Sequence, residues 1–441
     1  MARRPPRSLC AVAVTLVAVV CAGIPSIAQA TWGRPFQFAA PGTLDVLAPE
    51  VAFSPGGAAA AAFGIEDVDT PGTAQADLTL RSPTGGVGSA RPVSGAAQIL
   101  ALAYDGGSLE LLTGTSPAKS DLTCCSSAQA VQIGAGGVAA RPRTLVGGLA
   151  GATLGRLVTL ADGQMLAAVA TERGVWVVQS PKANRFGAQH LLTGGGKLPE
   201  TLAAAGLGGE TSIVAWSAAT GIAGAADPRT ISYAKGSRAS APHGVRSAVT
   251  VPAGRRVDEV GVAPRAGGAT VAWVESWYDH AGGYHSQVEA TDIGPHAVAR
   301  TLSPANRLAS GLTFAGDVSG DQALTWESCT AADSCQAQVA VRRASGQFGA
   351  VRTVGTVDPD QPPALAVGAH GQTLVGWIES GQPFATAQPK PGRGWRAATK
   401  LSASTYASDV TVGVGPHGQG LAAWTQGTLN PSVVGAVTGS L

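Results

Sequence analysis

The segment Trp273–Gln287, with the sequence WVESWYDHAGGYHSQ, concentrates side chains that could bind a ligand. It contains six such residues in a chain with only five Tyr and seven His, namely Trp277, Tyr278, Asp279, His280, Tyr284 and His285. Flat aromatic rings stack on the C–H faces of sugars, and Asp, His and Tyr add hydrogen bonds. We predict that this loop binds a glycan or a protein. The alternative is a long hairpin that packs its own aromatic side chains over the sheet.

Three acids follow aromatic residues at the ends of strand-like segments. Glu275 and Glu379 lie two residues beyond Trp273 and Trp377, and Glu327 directly follows Trp326. A carboxylate-lined rim could bind a cation or a sugar, or cleave a glycosidic bond, which needs two carboxyl groups about 5 Å apart in retaining enzymes. The same acids also fit strand ends at which a solvated polar group caps a turn. The sequence therefore predicts candidate binding residues and assigns no catalytic residue.

Metal and cofactor patterns are weak throughout the chain. His280 and His285 are separated by four residues on an irregular segment, and Asp317 begins a single D-x-S-G-D turn that lacks the further acids of a calcium loop. Phosphate-binding, nucleophile-elbow and H-E-x-x-H patterns are absent from the sequence. We therefore predict no metal and no cofactor.

A repeated unit of about fifty residues positions these candidates. An apolar strand, a Gly turn and a second strand ending in an aromatic recur clearly in GDQALTW, GQTLVGW and GQGLAAW, and more weakly elsewhere. The aromatic position or its substitute falls at Phe63, Leu112, Val169, Trp216, Trp273, Trp326, Trp377 and Trp424. Each copy continues into a third and a fourth strand-like segment, and this spacing is typical of four-stranded propeller blades.

These repeats predict an all-β, eight-bladed β-propeller with four antiparallel strands in each blade. The last copy stops after its third strand, PSVVGAVTG, while WGRPFQFAA near the N-terminus resembles an isolated fourth strand. We expect the N-terminal strand to join the last blade and close the ring, because closure removes an unpaired edge strand. A seven-bladed ring is the alternative if the weak copy around Leu112 is irregular.

The repeat resembles secreted bacterial β-propellers of the sialidase-like and kelch-like kind over nearly the whole mature chain. The resemblance is one of architecture. The Asp boxes, similar to S-x-D-x-G-x-T-W, and the Arg-Ile-Pro segment of sialidases are missing. It therefore implies the fold and no sialidase activity, because one fold supports many functions.

The first thirty residues predict export. Three arginines precede an apolar stretch that ends near Gly23, and Ala28-Gln29-Ala30 fits a signal-peptidase site, so residues 1–30 form a predicted signal peptide and 31–441 a single propeller domain. Removal of three Arg leaves 30 − 3 = 27 basic residues against 28 acidic ones. We expect a secreted chain without membrane insertion and without a nucleic-acid partner. An extracellular glycan or protein is the candidate partner, and the sequence leaves the oligomeric state open.

Four cysteines remain after the predicted cleavage. Cys329 and Cys335 flank TAADS between two strand-like segments, which favours a disulfide across that hairpin. Adjacent Cys124 and Cys125 could form a vicinal bridge, stay reduced or pair elsewhere. For the molecule as a whole, the sequence favours an exported, non-catalytic binding propeller. The alternatives are a polysaccharide hydrolase or lyase that uses rim carboxylates, and a structural scaffold at the cell surface.

Overall fold

A computed structural model describes most of the chain after residue 31. The described residues are 32–38, 45–46, 48–66, 75–93, 96, 98–115, 125–134, 136–149, 154–160, 163–180, 185–193, 197–208, 211–220, 229–295, 297–304, 306–330, 334–427, 431–439 and 441. The predicted signal peptide and Cys124 lie outside this set. No helix long and apolar enough to cross a membrane occurs among the residues described.

Eight antiparallel sheets follow one another along the chain, and we number them as blades 1 to 8. Blade 1 has an inner strand in two pieces, both paired with the second strand: Asp45–Val46, Glu50–Phe53, Ala59–Glu66, Gln75–Arg81 and Arg91–Val93. Blade 2 comprises Gln98–Asp105, Ser108–Thr115, Ser127–Ile133 and Arg143–Gly147. Blade 3 comprises Leu154–Thr159, Met165–Thr171, Gly174–Gln179 and Gln189–Leu191. Blade 4 comprises Lys197–Gly206, Ser212–Thr220, Thr230–Ser237 and Ser240–Thr250.

The second half of the ring repeats the same order of strands. Blade 5 comprises Arg255–Arg265, Gly268–Tyr278, Tyr284–Asp292 and Arg300–Thr301. Blade 6 comprises Leu308–Gly316, Gln322–Cys329, Cys335–Arg342 and Arg352–Val357. Blade 7 comprises Ala364–Val367, Thr373–Glu379, Gln382–Gln388 and Thr399–Lys400. Blade 8 comprises Ala407–Val414, Gly420–Gln426, Ser432–Thr438 and the N-terminal strand Phe36–Gln37.

The ring closes as predicted. Phe36 and Gln37 pair antiparallel with Gly435 and Val434, and Trp32 forms a further bridge with Thr438. Blade 2, the weak copy, is a complete four-stranded sheet. The protein is therefore an all-β propeller of eight blades, and the seven-bladed alternative is wrong.

The core lies between neighbouring blades. All eight repeat positions, from Phe63 to Trp424, fall on the second strand of a blade and are at most 1% exposed. Trp273 shows the arrangement, because it packs in one cluster with Ile231 and Val251 of blade 4. Since alternate residues of a strand face opposite sides, one face of each second strand contacts the preceding blade and the other contacts the following blade.

The turns divide between the two faces of the ring. The connections between first and second strands and between third and fourth strands lie at one end of the sheets, because neighbouring strands are antiparallel. The connections between second and third strands lie at the other end, together with the crossings to the next blade. We call this second end the hairpin face and the first end the opposite face.

Candidate functional site

The segment predicted as a binding loop is mainly a β-hairpin of blade 5 on the hairpin face. Its strands extend to Tyr278 and from Tyr284, which leaves only residues 279–283 as a turn. The Asp279 carboxylate fixes this turn, accepting hydrogen bonds at 2.8 Å from the backbone N–H groups of Ala281 and Gly283. A further bond of 2.9 Å joins Asp279 to His285 Nε2, and this bond is the main reason that the pKa of the Asp279 carboxyl is lowered.

Trp277 and His285 lie on the face of the hairpin that turns toward blade 4. Their rings stack with centroids 5.3 Å apart, and the Arg255 guanidinium lies 4.0 Å from the centre of the Trp277 ring. Arg255, Trp277 and His285 are direct cross-strand neighbours on three adjacent strands. Trp277 is consequently half-buried and supported from both sides.

Tyr278 and Tyr284 form the other face of the hairpin. They are cross-strand partners with ring centroids 5.3 Å apart, and 71% and 45% of their surfaces remain exposed. His280 is also exposed, in the turn beside them. Exposing two paired aromatic rings to water is unfavourable without a partner, so this tip offers a surface on which a flat apolar group can stack.

Glu275 belongs to a buried polar network below the hairpin tip. It is only 4% exposed, forms an ion pair with Arg255, and accepts hydrogen bonds from Gln287 Nε2 at 2.9 Å and Trp273 Nε1 at 3.4 Å. Gln287 Nε2 also lies 2.9 Å from Glu289, where burial raises the pKa of the carboxyl. The network binds three strands of blade 5 together and leaves Glu275 little contact with solvent.

Glu379 repeats one element of this arrangement in blade 7. The Trp377 indole N–H donates to Glu379 at 3.3 Å, and in blade 8 the Trp424 indole N–H donates to Gln426 at 3.0 Å. The acceptor lies two residues after the tryptophan in each case, because positions i and i+2 share a face of the strand. The acids predicted as a rim at these positions therefore accept hydrogen bonds from buried tryptophans. The spacing W-x-[EQ] in the sequence could have predicted these hydrogen bonds.

Glu327 in blade 6 lies in different surroundings. It is 4% exposed, accepts a hydrogen bond from Ser310 at 3.4 Å, and has Oε1 3.1 Å from Cys329 Sγ. Burial raises the pKa of Glu327, and the negative charges of Asp360 and Glu259 raise it further. The acids that act on Glu327 are therefore Asp360 and Glu259, which the sequence patterns did not identify. Glu275 and Glu379, the other two predicted rim acids, are not among them.

The predicted disulfide is confirmed. Cys329 and Cys335 are bonded across the second and third strands of blade 6, with Cα atoms 4.0 Å apart. Within the described part of the chain, the one group of three potential metal-ligand atoms combines these two sulfurs with Glu327. Because both sulfurs are already bonded to each other, this group cannot offer thiolates to a metal.

Two charged residues of the inner strands were also missed by the sequence patterns. Glu50 of blade 1 and Arg156 of blade 3 are exposed although protein surrounds them, as expected of side chains that line the central channel. The protein around the Glu50 carboxyl desolvates it and raises its pKa, and the positive charge of Arg156 offsets part of this rise. The closed ring brings these two residues to one channel. Because neither belongs to a recognisable motif, the sequence could not identify them.

Comparisons with known proteins agree on architecture. No protein-family model matches the chain, and no curated protein matches it. A solved structure described as the Dos1 propeller superposes with a TM-score of 0.54 at 12% identity over 92% of this chain and 95% of that one. A protein of unknown function from Dyadobacter fermentans gives a TM-score of 0.46 at 9% identity, covering 92% and 98% of the two chains. An ulvan lyase of family PL25 gives 0.47 at 10% identity, covering 91% and 95%. At 12% identity the similarity to the Dos1 propeller shows the fold alone.

Proposed function

We propose that this protein is an exported, non-catalytic binding propeller whose ligand docks on the hairpin tip of blade 5. The observation that carries the proposal is the pair Tyr278 and Tyr284, which are exposed and held side by side on a short turn. The hydrogen bonds of Asp279 preorganise that turn, so little conformational entropy is lost when a ligand binds.

A carbohydrate is the ligand class that fits this tip best. Two rings and a five-residue turn form a surface much smaller than the roughly 800 Å² that each partner contributes to a stable protein interface. Tyrosine rings offer flat faces to sugar C–H groups, and their hydroxyl groups with His280 provide hydrogen bonds to sugar hydroxyls. A protein ligand is the alternative outcome of the experiment below.

Catalysis by the predicted rim acids is less favoured by the geometry. The carboxylate of Glu275 is bonded to Arg255, Gln287 and Trp273, and that of Glu379 accepts the indole N–H of Trp377. A glycosidase needs a pair of carboxyl groups on either side of an accessible glycosidic bond. The hydrolase or lyase alternative therefore requires that a sugar reach Glu275 and Glu327, which are both 4% exposed, or the half-buried Glu379.

The proposal is tested on a glycan and polysaccharide array with the chain that begins at Thr31. A Tyr278→Ala, Tyr284→Ala double variant removes both rings, and Tyr406→Ala is the matched control, since Tyr406 is 62% exposed and precedes the inner strand of blade 8 on the same face. We expect a bound glycan whose affinity falls at least about tenfold in the double variant and is unchanged in the control.

A reducing-end assay on each bound glycan separates binding from cleavage. The proposal predicts no new reducing ends, whereas their release would favour the hydrolase or lyase alternative. Equal binding by the double variant would place the site elsewhere. No binding to any glycan would contradict a carbohydrate ligand and favour a protein partner.

A further inference from the structure

A cavity of about 440 Å³ lies between blades 1 and 2 on the opposite face of the ring. Turns between first and second strands contribute Ser54 and Gly107 to its lining, and turns between third and fourth strands contribute Pro83 and Gly136. This volume falls within the usual range of small-molecule pockets, about 300–1,000 Å³. The cavity is on the other end of the sheets from the blade 5 hairpin, so it is separate from the site proposed above.

The walls of the cavity are mainly apolar. Leu78, Leu109 and Ile133 are between 2% and 3% exposed and line it, together with the half-buried Leu80. Tyr104 joins this lining, and burial raises the pKa of its phenol to about 12. Tyr104 is therefore neutral at physiological pH and offers a hydroxyl group next to an apolar wall.

The charged groups of the cavity are all positive. Arg81 and Arg91 line it, and none of its described lining residues is an Asp or a Glu. Arg91 donates one hydrogen bond of 2.9 Å to the carbonyl oxygen of Gly136, across the boundary between the two blades. A guanidinium group has five N–H donors, so one such bond leaves Arg91 able to bind an anion.

The guanidinium of Arg81 lies on the other side of the blade 1 sheet, 5.7 Å from the centre of the Phe36 ring of blade 8. Leu78 and Arg91 are direct cross-strand partners, and Leu80 follows Leu78 by two residues, so these three side chains face the cavity while that of Arg81 faces blade 8. Arg91 is therefore the arginine that can meet a ligand in the cavity.

We propose that the cavity between blades 1 and 2 binds a small amphipathic anion, with its apolar body against Leu78, Leu109 and Ile133 and its acidic group at Arg91. The charge complementarity and the apolar walls select this class together, because a neutral apolar molecule would leave the remaining N–H donors of Arg91 unused. A strongly hydrated inorganic anion would leave the walls unused.

Two probes that differ only in one acidic group test the proposal. 8-Anilinonaphthalene-1-sulfonate is an amphipathic anion, and N-phenyl-1-naphthylamine is the same ring system without the sulfonate. We expect the anionic probe to bind to the folded protein with one site per chain and to be displaced by 4-phenylbutyrate. Displacement by neutral 4-phenylbutan-1-ol should be at least about tenfold weaker, because the alcohol cannot form an ionic hydrogen bond with the guanidinium group.

Variants assign the site to the cavity. Arg91→Gln should weaken binding of the anionic probe about tenfold and leave binding of the neutral probe unchanged. Arg143→Gln is the matched control, since Arg143 is an exposed arginine on the outer strand of blade 2 and does not line the cavity. Several sites per chain, or a loss in the control equal to that in Arg91→Gln, would overturn the proposal. Equal displacement by the acid and the alcohol would also overturn it.

Discussion

At the scale of single residues, three tryptophans of the second strands pair with the residue two positions further along. Trp377 donates to Glu379, Trp424 to Gln426 and Trp273 to Glu275, whereas the buried Nε1 of Trp326 has no hydrogen-bond partner within the described residues. An indole N–H left unpaired in the core would cost about 1–3 kcal/mol. This pairing explains why Glu275 and Glu379 follow their tryptophans by two residues, without requiring that these acids act on a substrate; Glu327 does not share it.

Glu110 is a residue whose charge the fold disfavours. It lies on the second strand of blade 2, is 4% exposed, and its Oε2 has no hydrogen-bond partner within the described residues. Burial, followed by the negative charge of Asp105, raises the pKa of Glu110 from 4.5 to about 7. Because the folded state binds this proton more tightly than the unfolded state, stability falls as the pH rises from about 4.5 to about 7.

Replacing Glu110 by Gln tests this pH dependence. Glu110→Gln should raise the free energy of unfolding by up to about 3 kcal/mol at pH 8, where wild-type Glu110 is ionised, and by much less at pH 4.5. Denaturant unfolding at the two pH values measures the difference. Glu172→Gln, at an exposed glutamate of blade 3, is the control. A gain at pH 8 that is no larger than the gain at pH 4.5 would contradict the raised pKa.

At the scale of strands and hairpins, the sequence was informative wherever the repeat constrains it. Each second strand must fill the same space against the preceding blade, so the positions from Phe63 to Trp424 could be aligned without a structure. The closing strand could also be predicted, because a blade with three strands and an isolated strand at the other end of the chain complement each other.

The side-chain contacts within the blade 5 hairpin could not be predicted in the same way. The register of its first two strands shifts between Val257 and Glu259, which places Arg255 opposite Trp277. Without this bulge, Arg255 would lie opposite Tyr278 on the other face of the sheet. A one-residue shift reverses the side to which a residue points, and no local motif reports it.

The N-terminal strand provides the test at this scale. It contributes Phe38, which is 2% exposed in a cluster with Phe63 and Leu421, and whose carbonyl oxygen accepts a 2.8 Å hydrogen bond from Thr79. A chain that begins at residue 39 loses this burial and leaves the strand Ser432–Thr438 unpaired on one side. We expect a lower melting temperature and self-association relative to a chain that begins at Thr31.

Restoring the missing strand is the control for that experiment. A synthetic peptide of residues 32–38, added to the shortened chain, should raise the melting temperature again and reduce self-association. A shortened chain that melts at the same temperature and stays monomeric would contradict the role of this strand in closing the ring.

At the scale of the whole molecule, the ring separates two surfaces of different chemistry. The hairpin face has the exposed pair Tyr278 and Tyr284, and the opposite face has the apolar cavity with Arg91 in its lining. Eight blades supply a rigid frame, since neighbouring sheets pack against each other through their buried second strands. Binding at one face therefore need not disturb the other, and the two proposals can be tested independently.

The most direct test of the central claim, that ligand docks on the blade 5 hairpin, is tyrosine labelling followed by mass spectrometry. The protein is labelled with a tyrosine-specific reagent with and without the glycan that binds most strongly on the array. We predict that the glycan protects Tyr278 and Tyr284 from labelling and leaves Tyr406 equally reactive. Unchanged labelling of Tyr278 and Tyr284 at a saturating glycan concentration would contradict the claim.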